Sequence, residues 1–175
     1  MELMDVYDRD GNRTGRVKDK ETDWGPEEYR LAVGIWIQND EGKLLITRRS
    51  MEKSFAPGKW ENTAGHVRAG ESCEHGIIRE LQEETGISVS ERQITLLGQV
   101  RVWPYLGRNF GVRLNTPISA ITYQKGETDA AKWVDFEEFV SMALNGEFAP
   151  SVLTHLQEYK ERFLEFVGHP GETRI

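Results

Sequence analysis

The spacing of apolar residues changes several times along the chain, and each change marks an element. Residues 31–38 (LAVGIWIQ) and 43–49 (KLLITRR) are apolar-rich runs on either side of the polar turn 39–42. They form the clearest hairpin in the sequence and the expected centre of a sheet. An earlier hairpin is predicted over residues 6–16, where Asp10-Gly11 supplies the turn. From Ser72 the period becomes helical. Ile77, Ile78 and Leu81 form one apolar stripe, and Glu80, Glu83 and Glu84, at i, i+3 and i+4, gather about 120° around the helix from it. Residues 94–103, 118–123 and 132–134 read as further strands and 135–145 as a helix. One long helix follows Pro150, with Val152, Leu153, Leu156, Tyr159, Phe163 and Phe166 three or four apart. The segment 103–117, WPYLGRNFGVRLNTP, holds two glycines and two prolines and is expected to include a variable substrate loop. This order predicts an α/β protein with a mixed sheet between helices. The expected organisation is one domain over residues 1–175, with a hairpin extension (1–29), a core (30–145) and a C-terminal helix (146–175).

The acidic face of the predicted helix carries the chemistry. Three neighbouring carboxylates raise one another's pKa and call for a cation. Gly65 lacks a side chain, so its backbone can approach an ion and lend a carbonyl oxygen, and Gly70 permits the tight loop that follows. Ser72 is the expected N-cap and Gly86 the left-handed residue that ends the helix after about three and a half turns. Metal ligands are therefore expected at Gly65, Glu80, Glu83 and Glu84. All are oxygens, which suits Mg2+, with Mn2+ as a substitute. One cysteine and four scattered histidines do not make a closed zinc site. Cys73 falls in the first helical turn, where the dipole can lower a thiol pKa, but a reactive thiol is not the expectation there.

The run GHVRAGESCEHGIIRELQEETGI, residues 65–87, also resembles the Nudix hydrolase signature. That signature is Gly, five residues, Glu, seven residues, Arg-Glu, an aliphatic residue, any residue, Glu-Glu, any residue, Gly and an aliphatic residue. Gly65, Glu71, Arg79, Glu80, Leu81, Glu83, Glu84, Gly86 and Ile87 fill every specified position. A solvated acidic helix explains neither the leading Gly65 and Glu71 nor the offset of Arg79. LAVGIWIQNDEGKLLITRR is similar to the family's opening hairpin, and PGKWENTAGH to its approach to the metal loop.

The resemblance implies a Nudix-type α/β/α sandwich and a pyrophosphohydrolase. The reaction it implies is Mg2+-dependent cleavage of a diphosphate bond in a nucleoside diphosphate linked to another moiety, or in a related organic pyrophosphate. It also pairs Arg79 with Glu71 as structural support. Glu80, Glu83, Glu84 or a glutamate from outside the signature removes the proton from water. The outside candidate is Glu127, in GETDAAKWV, where the family often places a loop acid. The segments DVYDRDGNRTG and KSFAPGKWENTAGHV are similar to the Nudix subgroup related to isopentenyl diphosphate isomerase. Those isomerases carry a catalytic cysteine just before the glycine position, where this chain has Ala64. An isomerase-like enzyme and a non-catalytic metal- or nucleotide-binding regulatory domain are the alternative readings.

Composition narrows the partners. A net charge of −7 argues against a stable nucleic-acid partner and leaves small, nucleotide-derived phosphorylated substrates. A lone cysteine, an acidic start and no long apolar run point to a cytoplasmic protein without membrane association, monomeric or homodimeric. Candidate substrate contacts are Arg30, Arg48, Arg49, Arg108 and Arg113 for phosphate. Trp60, Trp103 and Tyr105 are candidates for stacking on a base, and His66 for touching phosphate.

Overall fold

Alternation along one strand, β3 (Arg30–Gln38), divides the molecule into layers. In the computed structural model, which describes residues 1–175, Val33, Ile35 and Ile37 of β3 pack on Ile77 and Leu81 of α1 (Cys73–Thr85). Trp36 points the other way. It joins a second core with Phe139 of α2 (Phe136–Leu144), Leu156 of α3 (Pro150–Leu156) and Phe163 of α4 (Lys160–Val167). Helices thus cover both faces of one sheet, as the α/β reading expects. Its Trp36 indole N–H donates to the Tyr159 hydroxyl at 3.0 Å, so the largest buried side chain leaves no polar atom unpaired.

The sheet is mixed. β4 (Leu44–Arg49) pairs antiparallel with the end of β3 through Leu45 and Leu44, then carries β5 (Trp60–Glu61) and β9 (Thr128–Val134). Further back along β3, the place beside it is taken by β6 (Thr63–His66), also antiparallel. The other edge of β3 pairs in parallel with β8 (Tyr105–Arg113), and β7 (Thr95–Val102) completes that side. A separate two-stranded sheet, β1 (Leu3–Tyr7) with β2 (Arg13–Asp19), is the expected N-terminal hairpin. It docks through the Tyr7–Tyr29 bridge and through Ala69 N–H, which donates to Leu3 O at 2.8 Å.

Three sequence expectations change. The glycine-rich run 103–117 is mostly the central strand β8 rather than a loop. Its glycines serve packing: a Cβ on Gly111 would meet the Phe166 ring at 2.8 Å, and one on Gly107 would lie 3.2 Å from Val100 Cβ. Residues 118–123 are not a strand. Pro117 precedes a short 3-10 turn at Ile118–Ala120, Ile121 inserts into the α1-side core, and the pairing strand begins at Thr128. The single C-terminal helix is two helices, joined by a 3-10 turn at Gln157–Tyr159, which lets Tyr159 turn inward to Trp36.

Candidate active site

Local chemistry sets both ends of α1. The Ser72 hydroxyl accepts the His75 N–H at 3.1 Å, and Gly86, at φ 74°, donates its N–H to Gln82 O at 2.9 Å. With Ile77 and Leu81 packed on the sheet, the acidic face turns toward the loop that enters the helix. Arg79 grips Glu71 twice, Nε to Oε1 and Nη2 to Oε2, each at 3.0 Å. It also donates to His66 O at 2.8 Å, to Glu80 Oε1 at 2.9 Å and to Glu83 Oε2 at 3.2 Å. One guanidinium therefore ties the loop, β6 and the acidic face together. Burial opposes charge on both partners, yet their bonds raise the Arg79 pKa and hold Glu71 below the usual carboxylate value.

Gly65 is glycine because Glu80 lies against its backbone. A Cβ there would fall 2.5 Å from Glu80 Cγ and Oε1. Glu80 Oε1 also accepts the His66 N–H at 3.3 Å. Burial, then the charges of Glu83 and Glu2, raise the Glu80 pKa, with Arg79 pulling the other way. Glu84 is only 8% exposed and receives no side-chain or backbone hydrogen bond. Its pKa is pushed well above the usual value by burial and then by Glu61, Glu80 and Glu127, against which Lys53 is the one opposing cation.

These carboxylates do not converge at metal-ligand spacing as they stand, because Arg79 holds both Glu80 and Glu83. The donor set still fits a hard divalent ion. It is all oxygen, it surrounds a glycine backbone that excludes a side chain, and it contains a buried acid that accepts no hydrogen bond.

Two adjoining cavities open at this point. One, of about 700 Å³, is lined by Glu80, Glu83, Glu84, Glu127, Lys53 and Lys20. The other, of about 530 Å³, lies on the α3 face of the sheet between Trp103, Tyr105, Asn109 and His155. Arg49, Glu61, Ala64, Gly65 and His66 line both. Of the sequence candidates, Gly65, Glu80, Glu83, Glu84, Glu127, Arg49, His66, Trp103 and Tyr105 are thus brought together. Arg49 is neutralised by Glu61, Nη1 to Oε2 at 2.7 Å, and burial, then the charges of Lys20 and Arg30, lower His66 to about 4.

The other candidates lie elsewhere. Arg30 bonds Lys20 O and the Tyr105 hydroxyl and covers Trp24. Arg48 pairs with Asp129 at 2.7 Å, and Trp60 lies between Arg48 and Lys132. Strand alternation puts Arg108 on the α1 face beside Glu74, 3.7 Å away, and Arg113 bonds Gln38 and Phe166 O. Cys73, the only cysteine, is buried in the α1-side core, and that burial raises its pKa instead of lowering it.

Comparison with known proteins agrees with this geometry. The NUDIX domain profile matches residues 28–156, well over half of the chain. This protein belongs to the Nudix family. Its relatives include an uncharacterized Nudix hydrolase of Listeria monocytogenes, 30% identical over 86% of this chain and 89% of that protein. An isopentenyl-diphosphate Δ-isomerase of Citrobacter koseri is 37% identical over 49% of this chain and 48% of its own length. The fold is shared with the crystal structure of DR0079 from Deinococcus radiodurans, at a TM-score of 0.73 and 18% identity, covering 90% of this chain and 99% of that one. The Nudix assignment makes this chain a pyrophosphohydrolase by class. No helix is long and apolar enough to cross a membrane.

Sequence reasoning missed Glu61, Lys53, Glu2 and Lys20, which reach the Nudix site from β5, the loop after β4 and the N-terminal hairpin. Glu61 stood inside the WENTAGH segment that carries part of the resemblance, and its place next to the metal loop was the available signal. For Glu2 and Lys20 there was none, since only the docking of the hairpin brings them in, where they pair at 3.2 Å.

Proposed function

We propose that this Nudix hydrolase uses Mg2+, or Mn2+ in its place, to cleave the diphosphate bond of a nucleoside diphosphate linked to another moiety. The observation that carries the reading is Glu84, a buried acid without a hydrogen-bond donor, set among Glu61, Glu80 and Glu127 in the cavity that Gly65 also lines. Such an acid ionises readily only next to a strong positive charge.

Glu80, Glu83 and Glu84, with the Gly65 carbonyl, are the residues that would hold the metal. When bound, a divalent ion neutralises charge building up on the phosphoryl oxygens and acidifies the attacking water. Lys20 and Lys53 line the larger cavity and orient the diphosphate there. Glu127, held by Lys53, faces the same cavity and is the candidate to take the proton from water. Arg79 and Glu71 position the acidic face without touching substrate. The chain from residue 1 to 175 acts as one catalytic unit, because the N-terminal hairpin contributes Glu2 and Lys20 to the cavity wall. The acidic surface and nucleotide-sized cavities fit a small substrate in the cytoplasm.

The test is incubation with Mg2+ and a panel of nucleoside diphosphates and triphosphates, nucleotide sugars, ADP-ribose and isopentenyl diphosphate, with products identified by mass. Products split at a diphosphate bond are expected. A rearranged isoprenoid would move the chain to the isomerase class despite Ala64. Mg2+ binding with an inert panel would replace catalysis by a binding role.

A further inference from the structure

The second cavity has a floor that the reaction does not require. On the α3 face of the sheet, Ala32 and Gly34 of β3 lie beside Ala64 of β6 and Gly107 of β8, so a patch of sheet carries almost no side chains. Two residues further along β3, Trp36 fills the same layer completely. The hollow of about 530 Å³ is what remains, a volume ordinary for a small-molecule site.

Two amides stand at its floor. Asn109 is the direct β8 partner of Gly34, and Asn62 precedes β6. Both line the cavity and converge on Gly34: a Cβ there would lie 2.5 Å from Asn109 Oδ1 and 2.9 Å from Asn62 Nδ2. Asn62 is 5% exposed and Asn109 7%, and the Nδ2 of Asn62 is buried with no hydrogen-bond partner. A buried amide without a partner is costly, so the Asn62 amide, among the residues that line the cavity, asks for a ligand group.

The walls define what that group is. Phe55 and Trp103 line the cavity and are more than half exposed, with Tyr105 beside them. Flat aromatic walls favour a planar ring. The cavity holds no unpaired fixed charge: Arg49 and Glu61 neutralise each other, and burial disfavours charge on His66 and His155. A neutral ring carrying a donor and an acceptor on one edge satisfies both amides.

We propose that Asn62 and Asn109 read the edge of a nucleobase that stacks between the aromatic walls, and so select the substrate. This rests on the hydrolase reading above, which puts the diphosphate in the adjoining cavity. Gly34 is then required twice, to leave room for both amides and to keep the hollow open.

The experiment measures binding of the four nucleoside 5′-monophosphates, ribose 5-phosphate and pantetheine 4′-phosphate to the full chain by tryptophan fluorescence, with Mg2+ present. None of these contains a diphosphate, so binding is read without turnover. At least one monophosphate should bind tenfold or more tighter than ribose 5-phosphate. Asn62→Asp, which keeps shape while replacing the Nδ2 donor with an acceptor, and Asn109→Leu, which removes the Oδ1 acceptor at similar volume, should each weaken that nucleotide fivefold or more and leave ribose 5-phosphate unchanged. Asn62→Ser and Asn109→Ser serve if either variant does not fold, with thermal melting as the check. Equal affinity for ribose 5-phosphate and all four nucleotides, or Asn variants that bind as wild type, would overturn the proposal. Tighter binding of pantetheine 4′-phosphate would also overturn it in favour of a flexible amide chain. Failure of the hydrolase reading shows separately, as nucleotide binding by a protein that splits no diphosphate.

Discussion

Gly65→Ala is the smallest change that reaches the proposed metal site, and its effect can be worked from the geometry. The new Cβ would lie 2.5 Å from Glu80 Cγ and Oε1, where ordinary contacts involving carbon are about 3.5–4.0 Å. The overlap is therefore roughly 1 Å. Glu80 cannot simply swing away, because its Oε1 is held by Arg79 at 2.9 Å and by the His66 N–H at 3.3 Å. Overpacking of this kind costs about 1–3 kcal/mol, and a chain of this size loses about 2–4 °C of Tm per kcal/mol. Function should suffer more than stability, since moving a reacting group or ligand by about 1 Å costs on the order of 10²-fold in rate. The expected result is kcat/KM down about 10²-fold and Mg2+ affinity down about tenfold or more, with a folded protein. Calorimetric Mg2+ titration, thermal melting and steady-state turnover on the substrate found in the panel make the measurement. A folded Gly65→Ala protein with wild-type Mg2+ affinity and turnover would refute the reasoning, because Glu80 would then have no part in binding metal.

Gly98→Ala is the matched control in the other layer: its Cβ would run into Tyr159, with Cγ at 3.2 Å and Cα at 3.5 Å. Thermal melting should show a loss of about 1–3 kcal/mol while Mg2+ affinity stays unchanged. Glu84→Gln should cut turnover at least about 10²-fold and abolish the Mg2+-dependent rise in Tm. In EDTA the same variant should have a flatter stability–pH profile. The raised folded pKa of Glu84 means its contribution is fully present below the unfolded carboxylate pKa and is lost as pH rises through the folded one, and Gln does not titrate. Denaturant melts across pH 4–8 check this, and a wild-type slope in the variant would contradict it. Arg79→Met removes a partly buried guanidinium from Glu71, Glu80, Glu83 and His66 O, and should cost about 1.5–3 kcal/mol by chemical denaturation. Unchanged stability would mean that the acidic face organises itself without Arg79.

Elements whose meaning is local were legible in the sequence. The caps of α1, its apolar and acidic faces, the central hairpin and α2 all depend on residues within a few positions of one another, and their periodicity carries the information. β8 was not legible, because its glycines have two uses. Glycine between prolines signals a loop when read along the chain, whereas Gly107 and Gly111 are small so that Val100 and Phe166 can approach the strand. The pairing that makes β8 a strand joins residue 30 to residue 105, a separation no local pattern reports. The broken C-terminal helix has the same origin, since the Tyr159 side chain is drawn toward Trp36, 123 positions away.

The site divides along the same line. Its acidic half is written within twenty-three residues, and even the reach of Arg79 to Glu71 was readable from spacing and resemblance, though its hold on Glu80, Glu83 and the His66 carbonyl was not. The half proposed to read the substrate is assembled from β3, β6 with the residue before it, and β8, and each contribution is unremarkable where it stands: two alanines, two glycines, two asparagines. Only the registers Gly34 with Ala64 and Gly34 with Asn109 turn them into a hollow with amides at its floor. The carboxylates proposed to bind metal are then tied to one contiguous segment and must stay together for any substrate. Selectivity is spread over three strands, where exchanging Asn62 or Asn109 alters the floor without disturbing α1. A scaffold built this way can change the base it accepts while the diphosphate chemistry stays fixed, so the Asn62 and Asn109 variants should shift preference between nucleotides more than they lower the best rate.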